Sequence, residues 1–287
     1  MWNGHLTLRR RAGGLRGFTL IESLTVVGTL GILAVLGTAV VNKTMSSASM
    51  AREVNAAKQL VMALQSSAQD NNGRYLSGMD YRAGTPANPV PKPDGGQVLG
   101  HAAQRYPFRL APYLGNQFEG TIFVNRNKAE ITRMAGANGL MWDYYVSTFP
   151  ALGMNAYCVG GIVRADGTLR FAQDCVSNVS KMRGSLLAFA SGGFGAGAAR
   201  THGYCYVSPP TQADASPVCM KWNAPETWTS QQDPAYFGWV DFRYRGKAIC
   251  AFLDGSVQQQ SPKDLSDMRK WTPSAQDADD PHYELQP

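Results

Sequence analysis

The feature that most constrains this chain is an unbroken apolar stretch near its N-terminus, at residues 18–41. It reads FTLIESLTVVGTLGILAVLGTAVV and contains one charged residue, Glu22. As an α-helix rising 1.5 Å per residue, a stretch of this length would extend about 36 Å. The hydrocarbon core of a bilayer is about 30 Å thick. The stretch therefore predicts a membrane-spanning helix over residues 18–41.

The segment before the apolar stretch is basic. Residues 1–17 contain four arginines and no acidic residue. Basic flanks stay on the cytoplasmic side of a membrane. This predicts a single-pass membrane protein in which everything after Val41 lies on the far side of the membrane. A conventional secretory signal carries its small residues after the apolar run, whereas here Gly17 precedes it. This order indicates a leader, residues 1–17, that is removed in front of the helix.

Glu22 is an acid one turn inside the apolar stretch. A carboxylate in hydrocarbon costs about 3 kcal/mol on insertion scales, so it calls for a partner. Cleavage after Gly17 would give Phe18 a free amino group four residues before Glu22, and the two groups could pair within one subunit or between neighbours. Alternatively, the carboxylate reaches the membrane interface at little cost. The residues alone favour neither interpretation.

Residues 17–24, Gly-Phe-Thr-Leu-Ile-Glu-Ser-Leu, resemble the cleavage and methylation signature of type IV prepilins and type II secretion pseudopilins. The resemblance implies cleavage after Gly17 by the prepilin peptidase and methyltransferase, and N-methylation of Phe18. It also implies that Glu22 aids subunit registration during filament assembly. The partners implied are this processing enzyme, the inner membrane and other pilin or pseudopilin subunits. The implied location is the inner (cytoplasmic) membrane, with the head in the periplasm or outside the cell.

Residues 42–76 predict an amphipathic extension of the helix. Polar and charged side chains alternate with apolar ones that recur every three or four residues, the period of one helical face. The apolar positions are Met50, Val54, Ala57, Val61, Leu64 and Ala68. Asn71-Asn72-Gly73 is a typical helix stop, because Asn and Gly tolerate a left-handed backbone. The pattern predicts a helix that supports a globular head through one buried stripe.

The remaining residues predict an α+β head. Residues 77–105 are rich in Pro and Gly and predict a loop without folded elements. The globular head, residues 106–287, begins with a short apolar helix at 106–114. Strand-like runs follow between Gly- and Pro-rich loops, at residues 121–124, 144–148, 155–159, 186–190, 204–207 and 247–253. This alternation predicts a pilin-like fold in which a long N-terminal helix, membrane-spanning and then amphipathic, packs on an antiparallel β-sheet.

A hairpin with a capped helix is predicted near the C-terminus. Residues 247–253 read as a buried strand, Asp254-Gly255 suits a tight turn, and residues 256–260 return as the partner strand. Ser261 then caps a short helix that has Pro at its first position.

This segment resembles the C-terminal motif of prepilin-type proteins known as the H-X9-DG family, in which nine residues separate a histidine from Asp-Gly. Asp254 and Gly255 match the motif, and Tyr244 occupies the histidine position. Because the imidazole is replaced by a phenol, no role that needs imidazole, such as metal ligation, is expected there.

The five cysteines leave two interpretations open. None lies in a CxxC pair and the four histidines are scattered, which argues against a zinc site. Cys158 and Cys175 flank a predicted hairpin, and Cys205 and Cys219 flank a Pro-rich loop. In an exported head each pair could form a disulfide. Each bond would close a loop of roughly 15 residues and would stabilise the folded protein by about 3 kcal/mol. This leaves Cys250 free in a core strand. The alternative is five reduced, buried thiols.

The charge balance argues against nucleic-acid binding. The formal net charge is +6, but without the four arginines of the leader the chain has 23 basic and 21 acidic residues. The head therefore lacks the basic excess of a dedicated phosphate-binding surface. A Gly-rich run at residues 192–197 lacks the Lys and Ser/Thr of a P-loop, which predicts no nucleotide cofactor.

An acidic run near the C-terminus offers a weak case for calcium, which some pseudopilins bind. Asp277, Asp279 and Asp280 lie close together but lack the glycine and distal glutamate of an EF-type loop. A solvated acidic tail is the simpler interpretation. No cluster of residues in the sequence predicts catalysis, and the chain is expected not to be an enzyme.

Together these patterns predict a structural subunit, processed by the prepilin peptidase, of a type IV pilus or type II secretion filament. The alternative is a prepilin-anchored surface module that binds polysaccharide or another extracellular ligand.

Overall fold

The first helix is the longest element of the chain. The computed structural model describes residues 20–136, 139, 141–182, 184–210 and 221–286. Helix α1 covers Leu20–Asp70. Contacts divide the chain into two compact units, with the boundary after Ser46. The described part of the first unit is the beginning of α1, and the second unit is the head, which includes the rest of α1.

The prediction of a membrane-spanning first half of this helix is corrected. A span requires about 20 consecutive, predominantly apolar residues. Within the described ranges, no helix combines the length and the apolar character that a membrane crossing requires.

The amphipathic stripe of α1 is confirmed within the head. Ala57, Val61, Leu64 and Ala68 are fully buried, and Met50 and Val54 pack at the margin of the core. The buried face is wider than the stripe, because five further residues of α1 are buried beside it: Glu53, Ala56, Leu60, Ala63 and Ser67. The helix ends where predicted, since Asn72 and Gly73 both adopt positive φ.

Residues 77–105 contain short elements, contrary to the prediction of a plain loop. The elements are β1 (Met79–Asp80), β2 (Val90–Pro91), β3 (Gln97–Val98) and α2 (Gly100–Gln104). Val90 and Val98 are buried in the core and are paired across β2 and β3. Burial of these two side chains gives a Pro- and Gly-rich segment a fixed path.

The next segment is helical. Residues 106–114 form α3 (Tyr106–Leu110) and a 3₁₀ turn, as predicted. Helices α4 (Asn127–Ala135) and α5 (Trp142–Thr148) follow. The predicted strand at 144–148 is thus wrong, because its β-branched and aromatic side chains pack as a helix against α2 and α4. Residues 121–124 form a turn, in which Asn127 bonds the backbone of Ile122 and Val124.

The main sheet has five strands and is mixed. Its strands are β4 (Leu152–Asn155), β7 (Leu187–Ser191), β8 (Tyr206–Val207), β9 (Ala248–Phe252) and β10 (Val257–Gln260). Their order is β10-β9-β7-β4-β8, antiparallel except for the parallel pair β4 and β8. The predicted antiparallel arrangement is therefore correct for β10, β9, β7 and β4. It is wrong for the edge strand β8, which runs parallel to β4. A smaller sheet joins β1, β5 (Ile162–Val163) and β6 (Leu169–Arg170).

The central strands are buried on both faces. In β9, Ile249 and Ala251 belong to the core that includes α1, whereas Ala248, Cys250 and Phe252 belong to a second core on the opposite face. Side chains alternate across a strand, so one strand contributes to both cores. This explains why β7 and β9 read as continuous apolar runs.

The C-terminal part covers the second core. The Asp254-Gly255 hairpin between β9 and β10 is confirmed, with Gly255 at a φ of 85°. Helix α6 (Pro262–Leu265) begins with the predicted Ser261 capping box. Helix α7 (Pro273–Asp277) follows, and Trp271 before it is fully buried.

Candidate functional site

The residues predicted for processing lie outside the described part of the chain. Gly17 and Phe18 precede residue 20, and the side chain of Glu22 is likewise not described. Cleavage, methylation and the pairing of Glu22 therefore remain predictions.

Tyr244, which stands in the histidine position of the C-terminal motif, is buried against α1. Its hydroxyl donates a hydrogen bond to Glu53 Oε2 at 2.6 Å. Asp254 and Gly255 lie in the hairpin turn, where the Asp254 carboxylate accepts the Ser256 backbone N–H at 2.8 Å. Gln65 of α1 donates to the carbonyl of Leu253 at 2.8 Å. The motif therefore attaches the hairpin to the helix.

Glu53 is the centre of a buried polar cluster. Its carboxylate accepts two hydrogen bonds from the Arg243 guanidinium, Nη2 to Oε1 at 2.8 Å and Nε to Oε2 at 3.2 Å. Ser191 Oγ at the end of β7 also donates to Oε1. With the Tyr244 hydroxyl, the carboxylate accepts four hydrogen bonds that orient it, and the Arg243 guanidinium balances its charge where water scarcely reaches.

The cluster extends from Arg243 to a second carboxylate. Arg243 Nη1 bonds Asp241 Oδ2 at 3.2 Å, and Arg200 Nη2 bonds Asp241 Oδ1 at 2.5 Å. Arg243 also donates to the carbonyls of Gly192 and Ala151. We call Glu53, Ser191, Arg200, Asp241, Arg243 and Tyr244 the Glu53 cluster. It contains two acids and two arginines, so its formal charges balance.

The electrostatics of the Glu53 cluster favour a fixed charge state. Burial lowers the pKa of Arg243, but the charges of Glu53 and Asp241 outweigh it, so the net pKa is raised. Burial raises the pKa of Tyr244, and the adjacent Glu53 carboxylate raises it further. Around neutral pH the guanidinium is therefore charged and the phenol is protonated. The cluster joins helix α1 to the main sheet.

The sequence interpretation missed Glu53. It treated this residue as one of the polar positions between the apolar ones, although Glu53 lies three residues after Met50 and four before Ala57. That spacing places it on the buried face of the helix. A single acid on an apolar face is a signal of a buried partner, but nothing in the spacing identifies Arg243, 190 residues away.

A cavity of about 450 Å³ lies where the small sheet meets β8, the edge strand of the main sheet. Its wall contains three guanidinium groups, four tyrosine rings, two apolar side chains and one thiol. The lining residues are Met79, Tyr81, Arg105, Tyr157, Ile162, Arg164, Arg170, Tyr204, Cys205 and Tyr206. The sequence interpretation named none of these arginines, because they are far apart in the chain.

The thiols predicted to form disulfides are buried. Cys158 and Cys175 are free in the structure, so the bond predicted between them is not formed in it. Cys205 is also free, and the prediction that it pairs with Cys219 falls on a residue outside the described part of the chain. The chain at Cys158 runs beside the chain at Cys175, since the Val176 N–H donates to the Cys158 carbonyl at 2.8 Å. Cys250 is free and buried in β9, as predicted.

Burial should make these thiols slow to react. It raises the pKa of Cys175 to about 12, and it raises the pKa of Cys205 to about 11 against the opposing effect of Arg105. Because the thiolate is the nucleophile, we expect iodoacetamide at pH 8 to alkylate both residues at least about 100-fold more slowly in the native protein than in urea. Mass mapping of labelled peptides measures this. Equal alkylation rates in the native protein and in urea would contradict this prediction. If a cysteine reacted in urea only after a reductant was added, it would be part of a disulfide.

The acidic residues near the C-terminus are not gathered into a calcium site. Asp279 pairs with Arg269 at 2.6 Å, and Asp280 accepts the His282 backbone N–H at 2.8 Å. Among the residues that the structure covers, no group of three or more acidic, histidine or cysteine side chains could hold a metal ion.

Comparison with known proteins returned no match to this chain from family models, from curated sequences or from solved structures.

Proposed function

We propose that the chain is a pilin-like filament subunit, processed by a prepilin peptidase, and that the start of α1 packs against α1 of neighbouring copies. The observation that carries this proposal is an exposed apolar stripe at the beginning of the helix. Leu20, Ile21, Leu24 and Val27 are 82%, 72%, 67% and 67% exposed.

The spacing of these residues identifies one face. Positions 20, 24 and 27 follow the period of four and three that aligns side chains along a helix, and position 21 adjoins them. Large apolar side chains exposed together mark an interaction surface. A second copy of the same helix has the same stripe, so parallel packing would remove both stripes from water.

The attachment of α1 to the head supports this proposal. A subunit bound to its neighbours through one helix must keep its head fixed to that helix. Within the head, Glu53 and Gln65 of α1 bond the ends of β7 and β9 and the segment at Arg243. In this proposal Glu22 pairs with the amino group of a neighbouring Phe18, and the head is exported.

The test is filament formation in cells that contain a prepilin peptidase. We expect the double substitution Leu24→Ser and Val27→Ser to reduce filaments seen by electron microscopy at least about tenfold, because it removes two apolar contacts per subunit interface. Met62→Ser is the matched control, since Met62 is 64% exposed on the same helix but belongs to the head.

Two outcomes would contradict the proposal. One is normal filaments from the double variant, and the other is an equal loss from Met62→Ser. A Gly17→Ala variant separates processing from packing, because it should retain the leader, as N-terminal mass spectrometry would show, while the Leu24 and Val27 variant should lose it.

A further inference from the structure

The cavity beside β8 concentrates positive charge on a head that is otherwise close to neutral. Arg105, Arg164 and Arg170 line it, and none of the lining residues that the structure describes is acidic. Within the described residues, none of the three forms an ion pair with a carboxylate. Three guanidinium groups facing one space repel each other, and a bound anion would relieve this repulsion.

The acids nearest in sequence to the lining residues are occupied elsewhere. Asp80, between Met79 and Tyr81, makes a two-pronged ion pair with Arg82. Asp166 accepts both the backbone N–H and the hydroxyl of Thr168. Burial raises the pKa of Asp80, but the contacts with Arg82 outweigh it, so the net pKa is lowered. The bonds to Thr168 lower the pKa of Asp166, and the charge of Arg164 lowers it further. Both acids therefore stay ionised in local turns without entering the cavity wall.

Two of the arginines are held in place by aromatic rings. Arg105 lies over the Tyr144 ring at 4.8 Å and donates to Ser147 Oγ at 3.0 Å. Arg170 lies over the Phe171 ring at 5.1 Å and the Tyr157 ring at 5.9 Å. Cation–π contacts of this kind orient a guanidinium without neutralising it. The donors are thus positioned before any ligand arrives, which lowers the cost of binding.

The tyrosines form the second recognition element. Tyr204 and Tyr206 have ring centroids 4.8 Å apart, and the Tyr206 ring meets the Tyr157 ring edge-on at 6.2 Å. Trp239 packs against both Tyr204 and Tyr206. Burial raises the pKa of Tyr204 to about 12, so its hydroxyl stays neutral, and it donates to the Tyr206 hydroxyl at 3.3 Å. The Tyr204 ring is stacked against both Phe194 and Trp239, whereas the Tyr81 ring is 43% exposed. The wall therefore offers the Tyr81 ring as an apolar surface, together with tyrosine hydroxyl groups.

We propose that this cavity binds an acidic sugar, a ring that carries a carboxylate and several hydroxyl groups. Arginine presents paired N–H donors that match a carboxylate. The exposed Tyr81 ring offers a surface on which the apolar face of a sugar ring can pack, and a tyrosine hydroxyl can bond the hydroxyls of a sugar. The volume falls within the usual range of small-molecule sites. A nucleic acid fits less well, because the near-neutral head lacks a continuous basic path along which a phosphate backbone could run.

Titration calorimetry of the full chain with D-glucuronate, glucose and glucose 6-phosphate tests this proposal. We expect glucuronate to bind at least about tenfold more tightly than glucose, because only glucuronate offers a carboxylate to the arginines. Arg164→Gln, Arg170→Gln and Tyr81→Ala should each weaken glucuronate binding at least about tenfold. Arg105 is left intact, because it also bonds Ser147.

The matched controls are Arg133→Gln and Tyr236→Ala, since both residues are exposed and neither lines the cavity. They should leave binding unchanged, and thermal unfolding should show that every variant keeps its fold. Equal binding of glucuronate and glucose, or equal losses in cavity and control variants, would overturn the proposal. Tighter binding of glucose 6-phosphate would also overturn it, because the ligand would then be a phosphate. Filament formation does not enter this test, so either proposal can fail alone.

Discussion

Glu53→Ala is expected to lower the free energy of unfolding by about 3–5 kcal/mol, the usual cost of removing one partner of a buried ion pair. The substitution leaves the Arg243 guanidinium buried without the carboxylate that accepts two of its hydrogen bonds. It also removes the acceptor of the Tyr244 and Ser191 hydroxyls. Chemical denaturation followed by circular dichroism measures the change.

A matched control is available at the surface. Glu119 forms an ion pair with Lys128 in which both side chains are at least half exposed. Glu119→Ala should cost less than about 1 kcal/mol, because water screens exposed pairs. Replacing both partners of the buried pair, Glu53→Leu with Arg243→Met, should recover much of the loss, since no unpaired charge remains between them. A cost below about 1 kcal/mol for Glu53→Ala would show that the cluster does not stabilise the head.

Gly238→Ala is expected to lower the free energy of unfolding by at least about 3 kcal/mol, because it combines backbone strain with a steric overlap. Gly238 has a φ of 64°, a left-handed backbone that costs a residue with a Cβ about 1–2 kcal/mol. An added Cβ would also overlap the carbonyl oxygen of Ser208, just after β8. The backbone must then move, which should displace Trp239 from its stacked contact with Tyr204 and its edge-on contact with Tyr206. Denaturant unfolding measures the loss.

Gly255→Ala separates these two penalties. Gly255 has a φ of 85°, but an added Cβ would meet no atom within 4 Å. It should therefore cost only the backbone penalty of about 1–2 kcal/mol. If both variants lost the same free energy of unfolding, the Cβ added at Gly238 would not overlap the Ser208 carbonyl. The Gly238 variant should also weaken glucuronate binding if Trp239 supports the cavity wall.

The predictions made from local sequence patterns were correct where the structure depends on residues that are close together in the chain. The helical stripe from Met50 to Ala68, the stop at Gly73, the turn at Gly255 and the Ser261 cap follow from periodicity, left-handed backbone preference and capping. Each of these depends on residues within a few positions of one another. The same reasoning failed at residues 144–148, where β-prone side chains form a helix because α2 and α4 pack against it.

The amino-acid sequence by itself determined the long helix, its buried face, the C-terminal hairpin and the near-neutral charge of the head. Only the tertiary structure decided that Glu53 meets Arg243, and that Arg105, Arg164 and Arg170 face one cavity. The physical reason is distance along the chain. Periodicity and turn preference act over a few residues, whereas these contacts arise when the sheet forms and brings remote segments together.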